Sequence, residues 1–138
     1  MISGNGDLTF TGPGTMTLNA ANTYSGRTQI NAGTLALGSS GSIANSSGVN
    51  IASGANFNVT TVTGGFTLGA EQNLSGGGTI TGDVTISGSH TPGFSPGVQS
   101  FADDLTYTVG SSVVWELIDN TIAGRGTNYD GINVGGDL

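Results

Sequence analysis

The sequence predicts an all-β protein folded as a right-handed, single-stranded parallel β-helix, a solenoid in which the chain winds in stacked coils. Three observations favour this fold. Apolar and polar residues alternate with the period of two that is typical of half-buried strands. The strands are very short, and Gly, Asn or Ser separates most of them. Apolar pairs such as Met16 with Leu18 and Leu35 with Leu37 recur at dense but irregular intervals.

A β-sandwich is the alternative that this pattern leaves open. A sandwich has longer strands joined by hairpins. A solenoid instead stacks each short strand on the coil below and forms an inward apolar column, while Asn and Thr at the corners bond to neighbouring backbone. The right hand of the helix follows from the crossover rule for parallel strands.

The composition is that of one compact, folded unit. The chain has 138 residues, which is room for a single core. It contains 26 glycines and only 8% charged residues, but its 35% hydrophobic residues are spread in short alternating bursts, unlike those of a disordered chain. Cysteine is absent, so the fold depends on its core and its backbone hydrogen bonds.

The charge excludes two classes of partner. The formal net charge is −7, and the basic residues are Arg27 and Arg125 alone. A nucleic-acid backbone and an anionic membrane both require clustered Lys or Arg, so we expect neither as a partner. The first residues lack the basic and apolar regions of a signal peptide, and the last residues lie within a strand-like pattern. We therefore expect a segment cut from a longer repetitive protein.

The elements follow in order along the chain, each a burst of alternating Thr, Val, Ile, Leu, Phe or Tyr between turn residues. The predicted strands are 7–11, 15–18, 28–30, 34–37, 48–51, 55–60, 66–69, 79–81, 83–86, 98–101, 105–109, 112–118 and 129–134. The aromatic residues expected in the core are Phe57, Phe66, Phe101, Tyr107 and Trp115. Tyr24 lies in a turn and is expected to be exposed.

Residues 12–38 carry the most informative pattern. The alternating strands Thr15-Met16-Thr17-Leu18 and Thr34-Leu35-Ala36-Leu37 flank a polar turn and the short strand Thr28-Gln29-Ile30. This segment resembles the β-strand repeat in the passenger regions of bacterial autotransporters and related secreted proteins. We assign residues 1–73 to such repeat coils.

Residues 74–138 resemble a second element of the same passengers. They run through a Gly-Thr-Ile-x-Gly-x-Val strand pair from Gly78, a Pro-Gly-x-Ser-Pro-Gly corner at 92–97, a Glu-Leu strand at 116–117 and a Tyr-Asp strand from Tyr129. We assign 74–138 to C-terminal passenger-like coils, continuous with 1–73 in one segment. The insert at 119–128 is predicted to protrude as a loop.

The resemblance implies a role outside the cell. It predicts a secreted or cell-surface bacterial protein whose segment is a rigid scaffold. An adhesin module that binds an extracellular glycan or host protein, through loops such as 119–128, is one alternative. Because a cut solenoid exposes strand edges at both ends, end-to-end self-association is also expected.

The nonapeptide 89–97 is the one place with a catalytic composition. It holds the sole histidine, His90, near Ser89 and Ser95, and Asp103 follows closely. A serine hydrolase needs a nucleophile, a base and an orienting carboxylate, so a small esterase using Ser95, His90 and Asp103 is a further alternative. No Gly-x-Ser-x-Gly elbow is present, and two prolines and two glycines favour a purely structural corner.

Acidic residues beside turns are the candidate cation ligands. Asp103, Asp104 and Asp130 offer the oxygen ligands that calcium prefers. Neither an EF-hand loop nor a Gly-Gly-x-Gly-x-Asp repeat occurs, and scattered acids are usually solvated. We expect no cofactor, with calcium as the one possibility left open.

Overall fold

The computed structural model describes residues 1–119 and 123–138, and every pairing between its strands is parallel. The described residues form fifteen strands in three sheets and no helix, so none of them supplies a helix that could cross a membrane. The chain is a β-solenoid, which confirms the predicted fold class.

Three sheets form the walls of the solenoid. Sheet 1 consists of β1 (Leu8–Phe10), β3 (Thr28–Ile30), β5 (Gly48–Ile51), β8 (Asn73–Gly76), β11 (Ser89–Pro92) and β14 (Ser112–Val113). Sheet 2 consists of β2 (Thr15–Leu18), β4 (Thr34–Leu37), β6 (Asn56–Asn58), β9 (Thr79–Thr81), β12 (Val98–Phe101) and β15 (Gly131–Val134). Sheet 3 consists of β7 (Phe66–Leu68), β10 (Val84–Ile86) and β13 (Leu105–Tyr107).

Successive coils differ in length. Asn73 pairs with Ser89, 16 residues further on, whereas Asn50 pairs with Ser75, 25 residues further on. The third side of the early coils has no strand ladder, and a single bridge between Ala21 and Ser42 joins those coils there. The unequal corners explain why the apolar pairs recur irregularly in the sequence.

Inward side chains stack in columns, one residue per coil, because alternate residues of a strand point to opposite faces. The main column of sheet 1 is Leu8, Thr28, Val49, Leu74, His90 and Val113. The main column of sheet 2 is Met16, Leu35, Phe57, Ile80, Phe101 and Val134. Within each column the middle residues are buried and the end residues are partly exposed.

Outward side chains form a polar column on sheet 2. Its members are Thr15, Thr34, Asn56, Thr79, Ser100 and Asn133. Neighbouring coils are linked by hydrogen bonds across this face: Thr81 Oγ1 donates to Asn56 Oδ1 at 3.1 Å, and Asn133 Nδ2 donates to Ser100 Oγ at 3.3 Å. Such ladders add side-chain bonds to the backbone bonds that run along the solenoid axis.

The strand predictions were wrong in two ways. The segments that became β8 and β11 were not predicted as strands, because Asn, Ser, Gly and Pro disfavour β structure. The predicted strand 112–118 reduces to Ser112–Val113, since β14 lies at the edge of sheet 1 and pairs only with β11.

Two aromatic predictions were also wrong. Tyr24 is buried, and its hydroxyl lies 2.6 Å from Thr28 Oγ1 inside the solenoid. Trp115 is 50% exposed, because it follows β14 at the end of the stack, where no described coil covers it. The prediction holds for the remaining aromatics: Phe57, Phe66 and Phe101 are buried, and Tyr107 packs half-buried against the core.

Candidate functional site

His90 lies inside the solenoid. Strand β11 alternates half-buried and buried residues, so Ser89 and Thr91 face outward while His90 and Pro92 face the core. In the sheet 1 column His90 stands between Leu74 of the coil below and Val113 of the coil above. The ring is fully buried. A histidine therefore replaces the aliphatic residue that most other coils place in this column.

Both ring nitrogens of His90 are hydrogen-bonded. Nδ1 lies 2.6 Å from the Tyr107 hydroxyl, and Nε2 lies 2.6 Å from Gln99 Oε1. An amide oxygen can only accept, so Nε2 carries the proton and Nδ1 accepts from the Tyr107 hydroxyl. Gln99 Nε2 faces the backbone oxygen of Ser75 at 3.5 Å, which agrees with this orientation of the amide. The arrangement fits a neutral imidazole.

The surroundings of His90 disfavour its charged form. Phe101 meets the ring edge-on, with centroids 5.6 Å apart, and Tyr107 stacks on it at 6.0 Å. Burial lowers the pKa of His90 below its ordinary value, although the hydrogen bond that His90 donates to Gln99 and the charge of Asp130 act in the opposite direction. Burial also raises the pKa of Tyr107 to about 12. We call His90, Gln99, Phe101 and Tyr107 the His90 cluster.

The predicted catalytic residues are placed apart. Ser95 lies in the turn after β11, where its hydroxyl donates to Glu116 Oε1 at 3.2 Å. Ser89 faces outward and accepts a hydrogen bond from Asn73 Nδ2 at 2.7 Å. Asp103 follows β12, and its Oδ2 accepts from the amide of Gly82 at 2.7 Å. With both nitrogens of His90 bonded elsewhere, the geometry does not favour an esterase, which stays a prediction.

The three candidate cation ligands do not converge on one position. Asp130 precedes β15, and its buried carboxylate accepts from the amides of Gly97 and Glu116 at 3.0 and 2.8 Å. Asp103 and Asp104 follow the other end of the neighbouring strand β12, which at its length spans roughly 13 Å. Within residues 1–119 and 123–138 no group of three or more His, Cys, Asp or Glu residues could hold a metal ion.

Sequence reasoning missed Gln99 and did not connect Tyr107 to His90. These residues lie 9 and 17 positions from His90 and come from different sheets. They come together because β11, β12 and β13 are successive strands of one coil. The alternation in β12 places Gln99 inward with Phe101, but this signal does not identify its partner.

The surface offers one further candidate, an open concavity of about 370 Å³ beside sheet 2. Every lining residue is uncharged: Thr17, Asn19, Ala36, Leu37, Gly38, Ser39, Asn58, Thr60 and Thr61. Hydroxyl and amide groups with an apolar floor suit a neutral, hydrogen-bonding ligand. The loop predicted at 119–128 falls partly outside the described residues, because it includes 120–122.

Comparison with known proteins agrees with the architecture. The passenger-associated-transport-repeat family matches residues 8–37. The chain is 37% identical over 142 aligned residues to the adhesin BmaC autotransporter of Brucella suis biovar 1 (strain 1330). That alignment covers 99% of this chain but only 4% of the relative's length. No solved structure matches the chain significantly.

Proposed function

Because residues 8–37 match the passenger-associated-transport-repeat family and the whole chain is similar to part of an autotransporter adhesin, we propose that it acts as a rigid spacer within an adhesive surface protein. The family places the chain in a secreted or cell-surface protein. A structural or adhesive passenger segment is the role that agrees with the repeat, the adhesin relative and the solenoid fold.

The observation that carries this proposal is the continuity of the stack. Sheets 1 and 2 each contain six strands in parallel register, and their inward columns run from one end of the solenoid to the other. Six strands extend about 24 Å along the axis, at roughly 4.8 Å between neighbours. Close packing in the columns opposes bending as well as unfolding. Such a rod holds whatever follows it at a fixed distance.

The stack also supports a single folded segment. The sequence divides near residue 73 into repeat coils 1–73 and passenger-like coils 74–138. Strand β8, which begins at that boundary, pairs with β5 on one side and with β11 on the other. We propose that the two parts form one continuous folded segment.

Limited proteolysis tests the spacer proposal. The wild-type chain should resist a broad-specificity protease under native conditions. Phe57→Asp places a carboxylate in the middle of the sheet 2 column and should make the chain sensitive, because a buried charge without a partner is strongly unfavourable. Thr67→Asp, on the exposed face of β7, is the matched control and should stay resistant. Rapid cleavage of the wild type within its strands would refute a rigid rod.

Adhesion by this segment itself is a second proposal, supported by the uncharged concavity beside sheet 2. Its expected ligand is a neutral extracellular glycan or an uncharged stretch of a host protein. The chain would be screened on glycan arrays and on host-cell surfaces, beside Asn58→Asp in the concavity and Asn45→Asp on an exposed turn. Binding lost only in Asn58→Asp supports the site, and blank screens with the folded wild type count against it.

A further inference from the structure

The His90 cluster is a polar interruption near the C-terminal end of the apolar core. In the coil below, the same column position is Leu74, and the position below Tyr107 is Ile86. The replacement of these aliphatic side chains by His90 and Tyr107, with Gln99 beside them, makes this coil depend on two short hydrogen bonds of 2.6 Å. Its stability therefore depends on the protonation state of one ring.

A proton added to His90 finds an acceptor within the cluster only if the Tyr107 hydroxyl turns its own proton away. The ring nitrogen without a proton is Nδ1, which now accepts a hydrogen bond from the Tyr107 hydroxyl. Protonation forces that hydroxyl to turn, and it leaves a charge against the edge-on ring of Phe101. Desolvation of such a charge is costly.

The titratable groups that act on His90 come from two elements. Strand β13 contributes Tyr107, and the segment before β15 contributes Asp130, whose negative charge attracts a protonated ring. The neighbours in the column, Leu74 on β8 and Val113 on β14, are apolar. The Asp130 carboxylate already holds the amides of Gly97 and Glu116.

We infer that the His90 cluster is an acid-sensitive latch, and that protonation of His90 opens the C-terminal coils from β11 to β15 while the coils from β1 to β6 stay folded. The end of the stack is where opening costs least, because β14 pairs with β11 alone and the amide of Val114 bonds to the His90 carbonyl at 2.8 Å. Movement of His90 therefore acts directly on β14, the edge strand of sheet 1. The latch is independent of what the segment binds.

The pH window follows from the direction of the shift. The folded protein binds the proton on His90 less readily than the unfolded chain, whose histidine pKa is 6.5. The stabilisation is therefore complete above that pH and declines as the pH falls from 6.5 towards the lower pKa of the folded state. One proton can raise the opening equilibrium by at most about tenfold per pH unit.

Two unique residues make the test direct, since the chain has one histidine and one tryptophan. A ring C–H resonance followed by NMR gives the His90 pKa in the folded protein, and a value at or above 6.5 overturns the inference. Amide protection, which is the exchange rate corrected for the intrinsic pH dependence of exchange, should fall in 89–118 between pH 7.5 and 5, approaching tenfold per unit, but stay unchanged in 28–58. Trp115 emission should shift over the same range. An equal loss of protection in both segments, or no loss, also overturns the inference.

A triple variant isolates the histidine from the acidic residues. His90→Leu, Gln99→Leu and Tyr107→Phe together replace the cluster by apolar side chains, as Leu74 does one coil below. In this variant the amide protection of 89–118 should no longer fall between pH 6.5 and 5. Any change in protection that the carboxylates cause throughout the chain should remain. If it retains the wild-type profile, His90 is not the trigger. If it fails to fold, the wild-type NMR titration still decides the question.

Discussion

Single buried polar residues hold the side of the solenoid that lacks a strand ladder. Asn22 is buried there, and its Oδ1 accepts from the amide of Ile2 at 2.8 Å. Its Nδ2 donates to the carbonyls of Ala20 and Ser42 at 2.8 and 3.1 Å. Ile2 and Ser42 each lie 20 residues from Asn22, so one amide joins three successive coils.

Asn22→Ala should destabilise the chain by about 1–3 kcal/mol, because it removes a buried amide that makes three hydrogen bonds to the backbone of successive coils. Asn45→Ala is the matched control: this asparagine is exposed, and its loss should change the free energy of unfolding by less than about 0.5 kcal/mol. Urea unfolding of the three proteins measures both values. Equal free energies of unfolding of the two variants would show that the hydrogen bonds of Asn22 do not stabilise the stack of coils.

At the residue scale the sequence predicts the inside and outside of a strand well, but it predicts the corners poorly. Phe57 and Phe101 obey the alternation and are buried as expected. Tyr24 lies outside any strand, so no alternation pointed to its burial. Gln99 is inward because of its place in β12, although an amide normally indicates an exposed position. Trp115 lacks a covering coil, which no local pattern reveals.

At the scale of elements, tertiary pairing overrides weak propensity. Strand β8 contains Asn73, Ser75 and Gly76, which are poor strand formers. It is nevertheless held in register by β5 and β11 on its two sides. Strand β11 ends in Pro92, which likewise obscures it in the sequence. The strands that could be predicted are those with aliphatic pairs, and the others depend on their neighbours.

Gly76 shows what such a strand requires of the backbone. Its φ is +104°, and a Cβ there would meet the backbone of Ile51 in the coil below. Gly76→Ala should therefore cost about 1–3 kcal/mol from backbone strain, with steric repulsion in addition. Gly14→Ala is the control, since a Cβ at Gly14 meets nothing within 4 Å. Thermal unfolding followed by circular dichroism compares them, and equal melting temperatures would contradict this account.

At the scale of the molecule, the stack itself was predictable and its detailed register was not. The density of short strands indicated a solenoid, but coils that range from 16 to 33 residues cannot be aligned from the sequence alone. The candidate site was concealed because one of its strands was not predicted. His90, Gln99 and Tyr107 meet because β11, β12 and β13 are successive strands of one coil, and β11 was not predicted as a strand.

The two ends of the stack are complementary. At one end the inward columns begin with Leu8 and Met16, which are only partly buried. At the other end they finish with Val113, which is 42% exposed, and Val134, which is partly buried, and the apolar residues that follow Val113 are also exposed: Val114, Trp115, Leu117 and Ile118. Each end thus presents an apolar column and an unpaired strand edge, which is the arrangement that favours strand addition.

Head-to-tail association of this chain is the expected consequence, with Val113 and Val134 of one copy against Leu8 and Met16 of the next. Light scattering should show the mass rising with concentration, and Val113→Lys should suppress the rise because a charge at the column end opposes stacking. Val109→Lys is the control: Val109 is fully exposed in a turn, so the same added charge should leave association unchanged. A wild-type chain that stays monomeric at high concentration, or equal effects of both lysines, would mean that the ends do not pair.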